Sequence, residues 1–274
     1  MEKILTVKNL SVRFKNDKTQ ALDDVSFDLF SNDVLAIDGM NGSGKTTLIK
    51  LITGQTNDFI IDSGEIIYHP FSEKSIFDFS EKEMLQYLSS IGYVPQKDPY
   101  EGLNHLTVSD LIDNVIDGTS FTKEDATLLF DKYFGGSSRI KMKSRPARLS
   151  GGEQRMISIF LGLVCRKSAK LMIVDEPLNN LDFENVMKVS DLLNSLHKDS
   201  ESAGMILVTH CKIITCVNRQ RKMVKGHMED FDTKYECHHC MGEPDCDLYY
   251  LKNMGDADHD TSNAKKGGHD VIRF

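Results

Sequence analysis

The sequence predicts an α/β fold on a largely parallel sheet. Three observations predict it. Short apolar runs, "DVLAID" at 33–38, "KLMIVDEP" at 170–177 and "GMILVTH" at 204–210, read as strands buried on both faces. Segments with helical spacing separate them, among them residues 107–134, 151–166 and the amphipathic "FENVMKVSDLLNSLHK" at 183–198. "DVLAID" also runs through a glycine-rich turn into "TTLIKLITG", a strand–turn–helix unit with Gly54 as its stop. Strands alternating with helices favour parallel pairing, because each crossover helix returns the chain to the same edge.

The other elements follow in chain order. "ILTVKNLSVRF" and "ALDDVSFDLF" alternate apolar and polar residues and read as two strands joined by a polar turn. "EIIY" and "IGYVP" read as further strands. After about residue 228 the pattern fades, and "GDADHDTSNAKKGGHD" is polar. The 274 residues are 40% hydrophobic and 27% charged, ordinary for a soluble globular protein with a sizeable core. The net charge of −8 argues against a broad nucleic-acid surface, which needs clustered cations. "MEKILTVKNL" lacks the apolar run and cleavage site of a signal peptide. "MISIFLGLVC" at 156–165 is about half of a membrane span. A soluble chain in a reducing compartment is expected, with its six cysteines as thiols or metal ligands.

"GMNGSGKTT", residues 39–47, fits G-x-x-x-x-G-K-[ST] through Gly39, Gly44, Lys45 and Thr46. Such a loop, with Asn41, Gly42, Ser43 and Thr47, turns backbone N–H groups inward onto phosphate oxygens. Lys45 would neutralise the β and γ phosphates, and the Thr46 hydroxyl would ligate Mg²⁺. "LMIVDE" at 171–176 ends an apolar strand in two carboxylates. Asp175 would hold Mg²⁺ through water, and Glu176 would orient or deprotonate an attacking water. "LSGGEQR" at 149–155 places Ser150, Gly151 and Gly152 at a helix N-terminus, a second anion site in the same chain.

In this order the motifs resemble the ABC ATPase family, the nucleotide-binding cassettes of ABC transporters, over roughly residues 3–228. The resemblance implies a P-loop NTPase core with an N-terminal antiparallel β-subdomain and an inserted α-helical subdomain. It implies a cassette over 1–228, a helical subdomain at about 97–165 and a C-terminal appendage over 229–274. "VRF" places Phe14 where the family has an aromatic that stacks on adenine. "YVPQ" places Gln96 at a glutamine loop that touches Mg²⁺ and senses the transmembrane partner. "NNLD" places Asp182 in the D-loop, and "VTH" places His210 at a switch histidine that contacts the γ-phosphate. Ser150, Gly151 and Gly152 match the signature motif.

The resemblance implies an ATPase with ATP and Mg²⁺, working as an ATP-dependent head-to-tail homodimer or heterodimer. Its partner would be an integral membrane permease subunit at the inner face of the cell membrane, and no nucleic acid is expected. The alternative is a non-transport ABC ATPase acting on ribosomes or nucleic acid, since the asparagines of "NNLD" and the reduced arginine content of the signature helix resemble the ribosome-acting subfamily; Asn179 also stands where the D-loop usually has serine. Leu178 replaces a common threonine or serine, and Leu161 stands near the second arginine position of the signature helix, which keeps Arg155. "RIKMKSRPAR" at 139–148 is basic, and reads as a solvated loop or as a contact for a partner or anionic headgroup. Cys237, Cys240 and Cys246, with His227, His238 or His239, could form a Cys₃His zinc site that folds the appendage; an ordinary reduced tail is the competing reading. Cys211 and Cys216 are expected on a helix, as packing residues.

Overall fold

The computed structural model describes residues 1–97, 103, 105–117, 121–135, 139–166, 168–179, 181–199, 202–209 and 214–230. Strands β1 (Lys3–Phe14) and β2 (Gln20–Phe30) form an antiparallel pair, with Val7 opposite Phe27 and Leu5 opposite Leu29. Strand β3 (Val34–Asp38) then starts a second sheet and leads into helix α1 (Lys45–Ile52). Strand β4 (Phe59–Tyr68) returns to β1, completing a three-stranded sheet of order β2-β1-β4. It starts six residues before "EIIY" and includes polar Asp62, Ser63 and Gly64, which hide it from an apolar count.

Helix α2 (Glu81–Ser90) precedes β5 (Ile91–Val94). Helices α3 (Val108–Ile116), α4 (Lys123–Phe134) and α5 (Gly151–Gly162) follow, then β6 (Leu171–Asp175), α6 (Phe183–Asp199), β7 (Gly204–Val208), β8 (Arg219–Val224) and β9 (His227–Asp230). The second sheet has the order β5-β6-β7-β3-β8-β9. It is parallel except for β9, which runs antiparallel to β8.

Two apolar cores explain the continuous apolar runs. Successive side chains of a strand point to opposite faces. On β6, Leu171 and Ile173 join a core with β1, β2, β4 and α1, whereas Met172 and Val174 join a core with α3–α6. On β7, Ile206 and Val208 take the first side, and Met205 and Leu207 the second. The sheet is thus covered on both faces, and a polar residue on either face would be buried.

The helical segment breaks where sequence chemistry directs. Thr107 and Thr122 each cap a new helix, with Asp110 and Asp125 completing the capping boxes. Phe130 and Phe134 pack with Phe160 of α5, at ring separations of 5.0 to 5.6 Å. Val108, Leu111 and Ile112 are buried, with Leu106 and Val115 packed beside them, so this apolar stripe is core.

Three features differ from the sequence expectation. Helix α2 was not anticipated; Tyr87 is its one buried side chain, so its apolar stripe is thin. Strands β8 and β9 are too polar to show alternation, and β9 extends to Asp230. Cys216 lies in a turn rather than on a helix, with its N–H donating to Asn194 Oδ1 at 3.0 Å. It does pack against the helical core. Among the described residues, no helix is long and apolar enough to cross a membrane.

Candidate functional site

The loop after β3 closes by local geometry. Gly39 and Gly44 have φ of 149° and 109°, and a Cβ would sit 2.3 Å from the Met223 carbonyl oxygen and 2.8 Å from that of Ala21 respectively. Only glycine fits both demands. The Gly39 N–H donates to Asp38 Oδ1 at 2.6 Å, and the Ser43 N–H donates to the Met40 carbonyl at 3.1 Å. Helix α1 starts behind left-handed Gly44 with no side chain capping its first N–H groups. Those donors are left for a ligand.

Lys45 is only 4% exposed. Its Nζ folds back to donate to the carbonyls of Gly39 and, at 3.1 Å, Met40. Burial pushes its pKa down, against the pull of Glu176, Asp38 and Asp175. Asp175 is 2% exposed at the end of β6. Burial, then the charge of Glu176, pushes its carboxyl up to about 6, against Arg155 and Lys45. Asp175 Oδ1 and Ser43 Oγ are buried without a hydrogen-bond partner. Buried polar atoms are seldom left so, because each forfeits its hydration.

Glu176 follows in the left-handed region at φ 47° and is buried. Its N–H donates to the Val208 carbonyl at 3.0 Å, which ties the turn to β7. Its Oε2 accepts from Gln96 Nε2 at 2.5 Å and from Asn179 Nδ2. Two amides thus hold one carboxylate oxygen.

Sequence reasoning missed two positioning residues. Asn179 was noted only as a departure from serine. Arg155 was noted only as a motif residue, yet its buried guanidinium donates to the carbonyls of Pro95 at 2.6 Å, Asp175 at 2.7 Å and Pro177 at 3.2 Å. One side chain of α5 thereby fixes the loop before Gln96 and both flanks of Glu176. The Arg155 position seven residues into "LSGGEQR" was legible, but its carbonyl partners depend on the fold.

The remaining sites fall in other places. Ser150 caps α5 in a capping box with Glu153. Gly151 is open, whereas a Cβ on Gly152 would meet Asn185 Cγ at 2.1 Å. Asp182 accepts from the Asn185 N–H at 2.9 Å and from its Nδ2 at 2.8 Å, so it begins α6. Ser150, Glu153 and Asn185 line a cavity of about 700 Å³ between α4, α5 and α6. Phe14 ends β1 with its ring 5.4 Å from that of Phe59. Asn41 and Gly42 are exposed on the loop and Thr46 is exposed in the first turn of α1, while Thr47 is buried. Lys45, Asp175, Glu176 and Gln96 therefore form one group, and Ser150, Gly152 and Asp182 a second.

His210 lies outside the described residues, as do Cys211, Cys237, His238, His239, Cys240 and Cys246. His227 is on β9, with Nε2 3.3 Å from Asp23 Oδ2. Burial pushes the thiols of Cys165 and Cys216 up to about 12 and 11, which suits packing. Among the described residues, no three His, Cys, Asp or Glu side chains are grouped to hold a metal by themselves. Magnesium needs no such cage, since one or two carboxylates with phosphates and waters hold it. The unpartnered Asp175 Oδ1 and Ser43 Oγ, beside a buried lysine and free helix N–H groups, fit a magnesium nucleotide.

Comparison with known proteins agrees. The sequence model of the ABC transporter family matches residues 22–179. The lipoprotein-releasing system ATP-binding protein LolD of Treponema denticola is 28% identical over 237 residues, covering 83% of this chain and 98% of that protein. The structure of cbiO1 from Clostridium perfringens, part of the ABC transporter complex cbiONQ, is 27% identical with a TM-score of 0.68, covering 84% and 88%. The dimeric ATP-binding cassette MJ0796, in a post-hydrolysis state with ADP and phosphate, shares the fold at 21% identity and a TM-score of 0.68, covering 84% and 100%.

Proposed function

The chain belongs to the ABC transporter family, and we propose that Lys45, Asp175, Glu176 and Gln96 form the centre of its ATP chemistry. It is an ATP-binding and ATP-hydrolysing subunit of an ABC transporter. The observation that carries the assignment of the centre is the pair of orphaned buried oxygens, Asp175 Oδ1 and Ser43 Oγ, beside buried Lys45.

When bound with the nucleotide, Mg²⁺ would screen and polarise the phosphates, held by Thr46, Asp175 and Gln96. Lys45 exchanges its two loop carbonyls for phosphate oxygens. Backbone N–H groups of 41–47 cradle the β-phosphate, and Phe14 stacks on the base. Glu176 accepts a hydrogen bond from the attacking water and draws off its proton as the oxygen bonds to the γ-phosphorus and the ADP oxygen leaves. Asn179 and Gln96 keep the carboxylate aimed. The family resemblance would give His210 the contact to the γ-phosphate.

Ser150, Gly151 and Gly152 serve a second copy or a related cassette, and Asp182 joins the contact between them. That arrangement is supported by the shared fold with a dimeric cassette, MJ0796. The helical subdomain meets an integral membrane subunit, which would place the protein peripherally at the inner face of the membrane. The ribosome reading has the asparagines of "NNLD" and the arginine-poor signature helix in its favour, whereas the relatives' names speak for transport.

The test of the dimer uses Glu176→Gln, which slows hydrolysis and traps the bound state. Light scattering should give twice the chain mass with magnesium ATP and one chain mass with ADP. A single-chain mass in both would rule out a nucleotide-driven homodimer and leave only pairing with another cassette.

A further inference from the structure

Arg139 borders the cavity that Ser150 lines, but the rest of the segment 139–148 lines neither group of the nucleotide site, and it concentrates cationic side chains. Arg139, Lys141, Lys143, Arg145 and Arg148 are all exposed, within ten residues of a chain whose net charge is −8. Arginine shows the contrast best. Arg13 and Arg221 pair with aspartates, Arg219 with Asp33, Arg155 with three carbonyls and Arg166 with the Ser89 carbonyl at 2.7 Å. Among the described residues, the guanidinium groups of Arg139, Arg145 and Arg148 make no hydrogen bond or ion pair. Their planar forks, which match phosphate oxygens two at a time, are unused.

The segment is also held in shape. Ile140 and Pro146 are buried, and Met142 packs on the helical core. The Ser144 and Met142 carbonyls accept from the N–H groups of Val108 and Ser109 at 2.9 Å, and Ser144 Oγ accepts from the Lys141 N–H at 3.0 Å. Lys143, Ser144, Arg145 and Arg148 line one open concavity of about 500 Å³. Three of the five cations, Lys143, Arg145 and Arg148, are therefore held around a hollow by a fixed backbone rather than spread along a loose loop. Fixing like charges together costs repulsion that a bound anion would relieve.

We infer that this hollow is a binding site for a phosphate-bearing anion. The volume admits a phosphate with its substituent. Two sources share that chemistry, an acidic phospholipid headgroup at a membrane surface and a free phosphate compound. The lipid source rests on the transporter assignment above. For it, each cation near an anionic membrane contributes severalfold to binding, and the effect decays within about 10 Å at 0.1 M salt.

The experiment is vesicle flotation of the full chain, with the triple variant Lys143→Gln/Arg145→Gln/Arg148→Gln beside a control that removes three exposed lysines elsewhere, Lys18→Gln/Lys82→Gln/Lys198→Gln. Vesicles are phosphatidylcholine alone or with three-tenths phosphatidylserine. Inorganic phosphate and pyrophosphate are titrated separately, read by backbone amide shifts or calorimetry. The site predicts that the pocket variant loses anion binding by about a hundredfold while the control stays within about threefold of wild type. Binding to phosphatidylserine vesicles identifies the lipid source, and saturable binding of phosphate or pyrophosphate that the pocket variant loses, without flotation, identifies the soluble one; binding that both variants keep belongs to the loop at 39–47. Equal loss in both triple variants, or no binding by wild type in any arm, overturns the site. Phosphate release from ATP, measured on the same samples, reports the nucleotide centre independently: its absence in wild type sinks the ATPase assignment, and its presence with no anion binding sinks only the hollow.

Discussion

Asp175→Asn should make the nucleotide-free protein more stable near pH 7.5 and remove its response to magnesium nucleotide. In the fold, burial and Glu176 raise the Asp175 carboxyl from the ordinary 3.8 to about 6. About two pK units correspond to about 3 kcal/mol held against the ionised fold. The sign follows from proton linkage. The folded state binds this proton more tightly than the unfolded chain does, so the stabilising contribution is complete below pH 3.8 and is lost as pH rises through about 6. Asparagine cannot ionise and avoids that loss. Its advantage should be about 3 kcal/mol at pH 7.5, roughly 6–12 °C in thermal midpoint for a domain this size. At pH 5 it should shrink to about half, because the native Asp175 is then mostly protonated. Magnesium nucleotide should reverse the ranking, since it stabilises only the chain that keeps the carboxylate. Differential scanning fluorimetry at pH 5 and 7.5, with and without magnesium ATP, reads all of this. An equal or lower midpoint for Asp175→Asn at pH 7.5, or a gap that does not narrow on acidification, would refute the buried-charge argument.

Other perturbations address the surrounding frame. Arg155→Lys puts its three donors on one nitrogen and cannot reach carbonyls that Nε, Nη1 and Nη2 each serve separately; each buried oxygen left bare costs about 1–3 kcal/mol, so the urea midpoint and phosphate release should both fall. Asn179→Ala removes one of two amides from Glu176; kcat should fall about tenfold to a hundredfold with KM little changed, and Asn179→Ser should recover part of it. Gly152→Ala drives a methyl into Asn185, and should cost about 1–3 kcal/mol in urea unfolding while ATP binding to the single chain persists.

The parts of the fold legible from sequence were those with strong periodicity. Strands β3, β6 and β7 announce themselves because both faces are buried, which keeps them apolar up to the buried aspartates, Asp38 and Asp175, that end β3 and β6. Helix α2 was hidden because Tyr87 is its only buried residue, although Ser80 and Glu83 write its capping box plainly. Strand β8, "RQRKMV", places mostly half-buried polar residues at the sheet, and no apolar pattern can show that. At the site, the motif residues at 39–47 and 171–176 were legible because phosphate chemistry restricts their identities. The roles of Arg155 and Asn179 were not, since they act through carbonyls and a carboxylate brought near by folding. The unpaired state of Arg139, Arg145 and Arg148 was equally invisible, because sequence gives charges and not their partners.

The central claim is that this chain hydrolyses ATP with Glu176 as the base. Phosphate release from magnesium ATP by purified wild type and Glu176→Gln, with ATP binding measured on both, tests it most directly. Steady turnover in wild type and a loss of about 10²–10⁴-fold in the variant, at retained ATP affinity, is the predicted result. Turnover by Glu176→Gln near the wild-type rate would contradict it.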